Sequence, residues 1–221
     1  MKAVEVEKQT KKPSAKGANG AVVLELPRLE VREMLVRCTG LTELVISSMM
    51  NKSGRSDPKA GGTPSEEAQF NRARYIVDGV DCFKAMTLKK AIAGAWQFCG
   101  TGGNKMKGLI YKTLRVHGDI IDPMGVPFIT IDGKPQVFTA EIRNDKGQSM
   151  LTTRPRYWPW AFSVRLTYNP EFIRDQVVLQ LLANAGTYCG IGENRPSKTG
   201  GDWRRFQIDA SSKIVCRTVL E

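Results

Sequence analysis

Nine residues past the middle of the chain constrain it most. In Trp160–Tyr168, the apolar Trp160, Phe162, Val164, Leu166 and Tyr168 alternate with Ala161, Ser163, Arg165 and Thr167. Successive side chains of a strand point to opposite faces, so this run predicts a strand with one buried and one polar face. Such a strand needs antiparallel neighbours and a layer over its apolar side. Two segments supply that layer. Asn169 caps a helix predicted to start at Pro170-Glu171, with Phe172, Ile173, Val177, Leu181 and Leu182 as its stripe. Residues 83–98 place Phe83, Met86, Leu88, Ala91, Ile92, Ala95 and Trp96 near helical spacing, with Lys84, Lys89 and Lys90 off that stripe.

The remaining segments fit around this pair. Leu29–Thr39 is β-rich, but its alternation slips around Glu33 and Met34, predicting a bulge or a strand covered on both faces. Leu109–Val116, Phe128–Ile131 and Gln136–Arg143 read as strands, the last two joined by a hairpin turn at 131–135. Trp203–Ile208 and Ile214–Val219 read as short closing strands, and Pro64-Ser65-Glu66-Glu67 opens a helical run to Ala73. The run GTGGNKMKG after Phe98 reads as a basic glycine loop. Asn51–Pro64 reads as a mobile polar loop, and residues 1–20 as a disordered basic arm. The expected fold is therefore α+β, an antiparallel sheet with two packing helices and long inserted loops. One domain, 21–221, carries insertions at 51–64 and in a hairpin region at about 109–150.

Charge narrows the partners. Lys plus Arg number 33 against 22 Asp plus Glu, a net +11. Five lysines against two glutamates put residues 1–20 at +3, so +8 resides in the folded part. Lysine and arginine that neutralise phosphates release the counterions condensed there, so this balance favours a polyanionic partner. No apolar run reaches the roughly 18 residues of a spanning helix, and the N-terminus lacks the apolar core of a secretory signal. Five cysteines, an odd count without a CxxC, suit reduced thiols in a cytoplasm. His117 is the one histidine, which rules out multi-His zinc sites and makes Ser/His or Cys/His machinery a poor fit. Asp132 and Glu141 with Arg143 have the residue types of a nuclease carboxylate pair but lack a companion lysine. The expectation is a binding protein with no catalytic residue, metal, cofactor or membrane contact.

Three constellations carry the binding. In residues 186–206, a helix end is followed by Gly190 and Gly192, then Arg195, Lys198, Arg204 and Arg205. Glycines let a backbone approach phosphate while the cations supply charge; a plain connecting loop would use the same glycines for turns. In 154–160, Arg154 and Arg156 interleave with Tyr157, Trp158 and Trp160. Bases of single-stranded nucleic acid stack on such rings, with Trp158 the stacking candidate and Trp160 core. In 72–115, Arg72, Arg74, Lys89, Lys90, Lys105 and Lys107 offer a phosphate-tracking face or an ordinary solvated one.

The segment Gly190-Ile191-Gly192-Glu193-Asn194-Arg195-Pro196, Gly200-Gly201, Arg205-Phe206 resembles the glycine-rich C-terminal signature of the RAMP superfamily. These are RRM-like proteins of CRISPR effector complexes, and the likeness is greatest to a Cas7-like set of phage and prophage proteins. Leu35–Met50 is similar to that set's first strand and following turn, and Tyr75–Phe98 to its strand end and core helix. Arg154–Trp160 resembles the R-x-R-Y-x-x-W step before the third core strand. Glu43 stands where the set usually has Pro, which loosens that turn, and Trp203-Arg204 replaces a common Phe-Gly. The resemblance implies a modified ferredoxin-like (RRM/RAMP-type) fold, binding along single-stranded DNA or RNA, and side-by-side self-association. Rival implications are a CRISPR-effector interaction protein or mimic, and a RAMP-type nuclease.

Overall fold

The computed structural model describes residues 30–48, 64–100, 103–143, 149–192, 196–199 and 202–220. The expected arm at 1–20 and nearly all of the expected loop at 51–64 lie outside them. The first half runs β1 (Glu30–Gly40), β2 (Leu44–Val45), α1 (Glu66–Ala73), β3 (Ile76–Val77), β4 (Val80–Lys84), α2 (Ala85–Gly94), α3 (Gly103–Thr113) and β5 (Leu114–His117). The second runs β6 (Ile120–Ile121), β7 (Pro127–Thr130), β8 (Pro135–Arg143), β9 (Ser149–Tyr157), β10 (Ala161–Tyr168), α4 (Asp175–Asn184), α5 (Pro196–Thr199), β11 (Phe206–Ile208) and β12 (Val215–Leu220).

The architecture is mixed α+β with antiparallel sheets. The main sheet has the order β11-β1-β10-β5, with β12 also pairing β1. Its register puts Val36 opposite Val164 and Leu166 opposite Val116. Met34, Val36, Cys38, Phe162, Val164, Leu166 and Tyr168 are all buried, as the alternation in β10 requires. Leu88 and Ile92 of α2, Ile110 of α3, and Val178, Leu181 and Leu182 of α4 join them in one core. The opposite face stays open: Leu35 is 46% exposed, and Ser163, Arg165 and Arg115 are exposed. A second sheet runs β3-β4-β7-β6 and a third β2-β9-β8. Burial pushes the Cys38 and Cys82 thiols up to about 12, which keeps them protonated. No helix among the described residues is long and apolar enough to cross a membrane.

Several expectations need correction. β1 has no bulge: pairing with β10 runs unbroken from Arg32 to Thr39, with Met34 inside and Glu33 outside. Glu33 reads as a slip because its charge is neutralised by Arg165 and Arg217 on the flanking strands. Residues 103–113, expected as loop and strand, form α3, so three helices rather than two pack on the core. Burial of Ile110 outweighs the poor helix propensity of Gly103 and Gly108. β7 and β8 do not form a hairpin: β7 pairs β4 and β6, whereas β8 pairs β9. Between them, Asp132 exchanges two backbone hydrogen bonds of 2.9 Å with Ala161 and sends the chain into the third sheet. Strand β9 was not among the expected elements, since Pro155 and its flanking arginines carry no apolar alternation. Pro155 keeps its place opposite Val137 and offers its carbonyl to the Ile46 N–H. Asn169 accepts from the Glu171 N–H in a local turn, and α4 begins later, at Asp175. Phe172 and Met86, expected on buried stripes, are exposed.

Candidate nucleic-acid interface

Three segments far apart in sequence meet where β1 ends and β10 begins. The turn after β1 is clamped by Trp160, whose carbonyl accepts from the Gly40 N–H at 2.8 Å and whose indole N–H donates to the Thr42 carbonyl at 2.7 Å. Gly40 is required there: a Cβ would sit 2.1 Å from Trp160 Nε1. The glycine-rich segment docks on the same turn. The Arg205 N–H donates to Thr42 Oγ1 at 2.9 Å, and the Arg205 carbonyl accepts from the Leu41 N–H at 2.8 Å. Gly192, at φ +91, passes so close to β2 that a Cβ would lie 2.9 Å from the Val45 carbonyl oxygen. Gly190 also has positive φ and closes the π-turn at 185–189 through a 2.8 Å bond to Ala185.

The third segment is the end of β9. Arg156 pairs with Glu43 at 3.4 Å, donates to Gln136 at 3.2 Å and lies over the Phe138 ring at 5.3 Å. Phe138 in turn meets Trp203 of the glycine-rich segment, with ring centroids 5.8 Å apart. Glu43 thus fastens the post-strand turn to β9 instead of loosening it. Trp158 and Trp203 remain 44% and 41% exposed. Arg205 is half-buried and held by Asp202 at 2.6 Å, and Arg154 is half-buried. Glu43, Phe138 and Trp203 were not expected as members. Phe138 belongs to an alternating strand and so has a face to present, which was the signal available.

Arg204 requires correction. It was grouped with the surface cations, yet it is 2% exposed, and its carbonyl accepts from the Ile191 N–H. Its stem packs beneath Gly192, so it supports the loop from inside. Arg195 lies outside the described residues, and Lys198 belongs to α5 with its side chain outside them.

The chain is similar to a chain of the Type III-B Cmr-beta complex bound to cognate target RNA, solved by cryo-electron microscopy. The identity is 12% and the TM-score 0.49, covering 85% of this chain and 61% of that one. It is also similar to Cmr6 from Pyrococcus furiosus, at 9% identity and TM-score 0.38, covering 82% and 100%. No family model matches the chain, and no curated protein matches it.

Among the cations of 72–115, Arg74 is taken out of any phosphate-tracking face by its partners. Arg74 is bound twice to Asp81, at 2.8 and 2.6 Å, and the Tyr157 hydroxyl donates to the same carboxylate at 2.9 Å. That network ties α1, β4 and β9 together, so Arg74 is structural. Arg72 is exposed on the last turn of α1. Lys90 and Lys107 are exposed on α2 and α3, and the Lys105 side chain lies outside the described residues. Lys89 is half-buried; burial, then the neighbouring Arg115, lowers its pKa. The carboxylate of Asp132 is taken by Arg37 at 2.5 Å, and Glu141 lies on β8 opposite Leu151.

Proposed function

We propose that this is a Cas7-like protein that binds single-stranded nucleic acid through phosphate contacts and base stacking, and self-associates along the strand. The observation that carries the reading is the meeting of the three family-like segments at one end of the main sheet. There Trp158 and Trp203 are exposed beside Arg156 and Arg205. Exposed rings next to guanidinium groups suit unpaired bases and their phosphates, whereas a duplex hides its base faces. The main sheet supports the modified ferredoxin-like assignment. Counting β1, β5, β10 and β11 as first to fourth, the spatial order is fourth, first, third, second, with helices in both crossovers. The protein holds a strand rather than cutting it; the engagement of Asp132 with Arg37 favours this.

Fluorescence anisotropy with labelled single- and double-stranded DNA and RNA across a salt series tests the proposal. Tighter binding to single strands and a steep fall with salt are expected. Equal or tighter duplex binding overturns it. Incubation of the same strands with magnesium should leave them intact, and light scattering should show larger assemblies on long strands.

A further inference from the structure

The opposite end of the main sheet carries an independent feature. A cleft of about 250 Å³ is lined by Val31, Lys112, Arg115, Thr167, Asn169 and Phe172, among others. Arg115 stands opposite Thr167, which stands opposite Glu33, so the cleft opens at the edge of the uncovered face. Most of its polar groups are already engaged. Thr167 Oγ1 shares a 2.8 Å hydrogen bond with His117, and Asn169 accepts from the Glu171 N–H. The charges are not. Arg32, Arg37, Arg165 and Arg217 on the main sheet each pair with a carboxylate. Among the described residues, Arg115 and the adjacent Lys112 have no ion pair, and both are exposed. Arg115 also lowers the pKa of Lys89, a sign of crowded like charge. Beside them Phe172, in the turn before α4, is 56% exposed, although its sequence neighbour Ile173 is buried.

Unneutralised cations next to an exposed ring in a concave site match a nucleotide: phosphate on the cations, base on the ring. We propose that this cleft is a second nucleotide subsite, with the phosphate held between Lys112 and Arg115 and the base against Phe172. The inference rests on the single-strand reading above and extends it to a footprint. The interface around Trp158 precedes β10 and the cleft follows it. Strand β10 has eight residues, which at about 3.4 Å per residue separates the two by about 24 Å. A strand stacked at about 3.4 Å per nucleotide needs about seven nucleotides to bridge that gap.

The test compares 4-mer and 12-mer oligothymidylates by anisotropy on the full chain, the Lys112→Ala/Arg115→Ala variant, Phe172→Ala and Trp158→Ala. All four residues are exposed, and unchanged melting temperatures will confirm folding. The wild type should prefer the 12-mer by tenfold or more. The double variant should lose that preference, and its salt slope should fall by about two units. Phe172→Ala should weaken 12-mer binding at least fivefold. If the double variant keeps wild-type affinity and slope while Trp158→Ala binds weakly, the subsite is overturned and the single-strand reading survives. If the wild type binds neither oligomer, both fall. A free nucleoside monophosphate carries the same two groups. Saturation by thymidine monophosphate that the double variant abolishes, with 12-mer binding unaffected, assigns the cleft to a free nucleotide and overturns the strand subsite.

Discussion

Arg74→Ala separates an architectural cation from a phosphate ligand. Arg74 makes two charge-assisted hydrogen bonds to Asp81, and the Asp81 side chain is only 10% exposed. Removing the guanidinium leaves that carboxylate in a poorly solvated site, a loss that costs about 3–5 kcal/mol when a buried pair is broken. Tyr157 still donates to Asp81, which places the expected loss near the lower end, about 3 kcal/mol. For a chain of this size each kcal/mol moves the melting temperature by about 2–4 °C, so a fall of about 6–12 °C is expected. Arg74→Ala/Asp81→Asn should recover much of it, because the stranded charge is gone. Thermal unfolding by circular dichroism reads the stability, and anisotropy across a salt series reads the binding. The reasoning is refuted if Arg74→Ala melts like wild type while its salt slope drops by about one unit. That pattern would return Arg74 to the ligand.

Three further outcomes follow from the geometry. Trp158→Ala should weaken single-strand binding by about 1–3 kcal/mol with the melting temperature unchanged; unaltered affinity would remove Trp158 from the stacking surface. Gly192→Ala places a side chain at φ +91 and against the Val45 carbonyl. It should cost about 1–3 kcal/mol in a urea titration, and an unshifted midpoint would mean that the loop relaxes freely. Burial, then Arg165, lowers the His117 pKa below its ordinary value. The unfolded chain therefore takes up the proton first as pH falls through about 6.5, and stability present above that pH fades below it. His117→Gln should melt with a flatter pH dependence than wild type between about pH 7.5 and 5.5; identical profiles would contradict this.

Legibility in the sequence followed how much each element depends on its own residues. β10 was readable because its two faces meet different environments, buried on one side and open on the other. The later half of α4 was readable for the same reason, through Leu181 and Leu182. β9 was not, since its partner β2 lies far back along the chain and only pairing, with β2 and with β8, overrides the appearance of Arg154-Pro155-Arg156. α3 was hidden because the burial of Ile110, with Tyr111 packed against the same core, organises a helix that carries glycines at 103 and 108. At the candidate site, Trp158 and Arg156 were readable as a composition of rings and cations. Their company was not: Glu43 looked like a departure and Phe138 like one more residue of an alternating strand, and only the fold brings both to Arg156.

The glycine-rich segment shows why a loud motif can say little about its ligand. Gly192 is at positive φ, and its missing Cβ leaves room for the Val45 carbonyl on one side and the Arg204 stem on the other. Arg204 is itself at φ +69, at the position where the resemblance has glycine. A left-handed conformation disfavours a side chain unless the surroundings hold it. Here the stem is buried beneath Gly192, and the Arg204 carbonyl is bonded to Ile191. Two left-handed residues therefore brace one another across the loop, one by lacking a side chain and the other by filling the space. Demands of this kind fall on backbone geometry, which few residue types satisfy, so they write themselves strongly into sequence. Phosphate and base contacts can be made by many side chains at many rim positions, and they leave a fainter trace. The glycines shape a platform against β2, and the proposed binding function assigns recognition to the residues at its rim, Trp158, Trp203, Arg156 and Arg205, rather than to the glycines themselves.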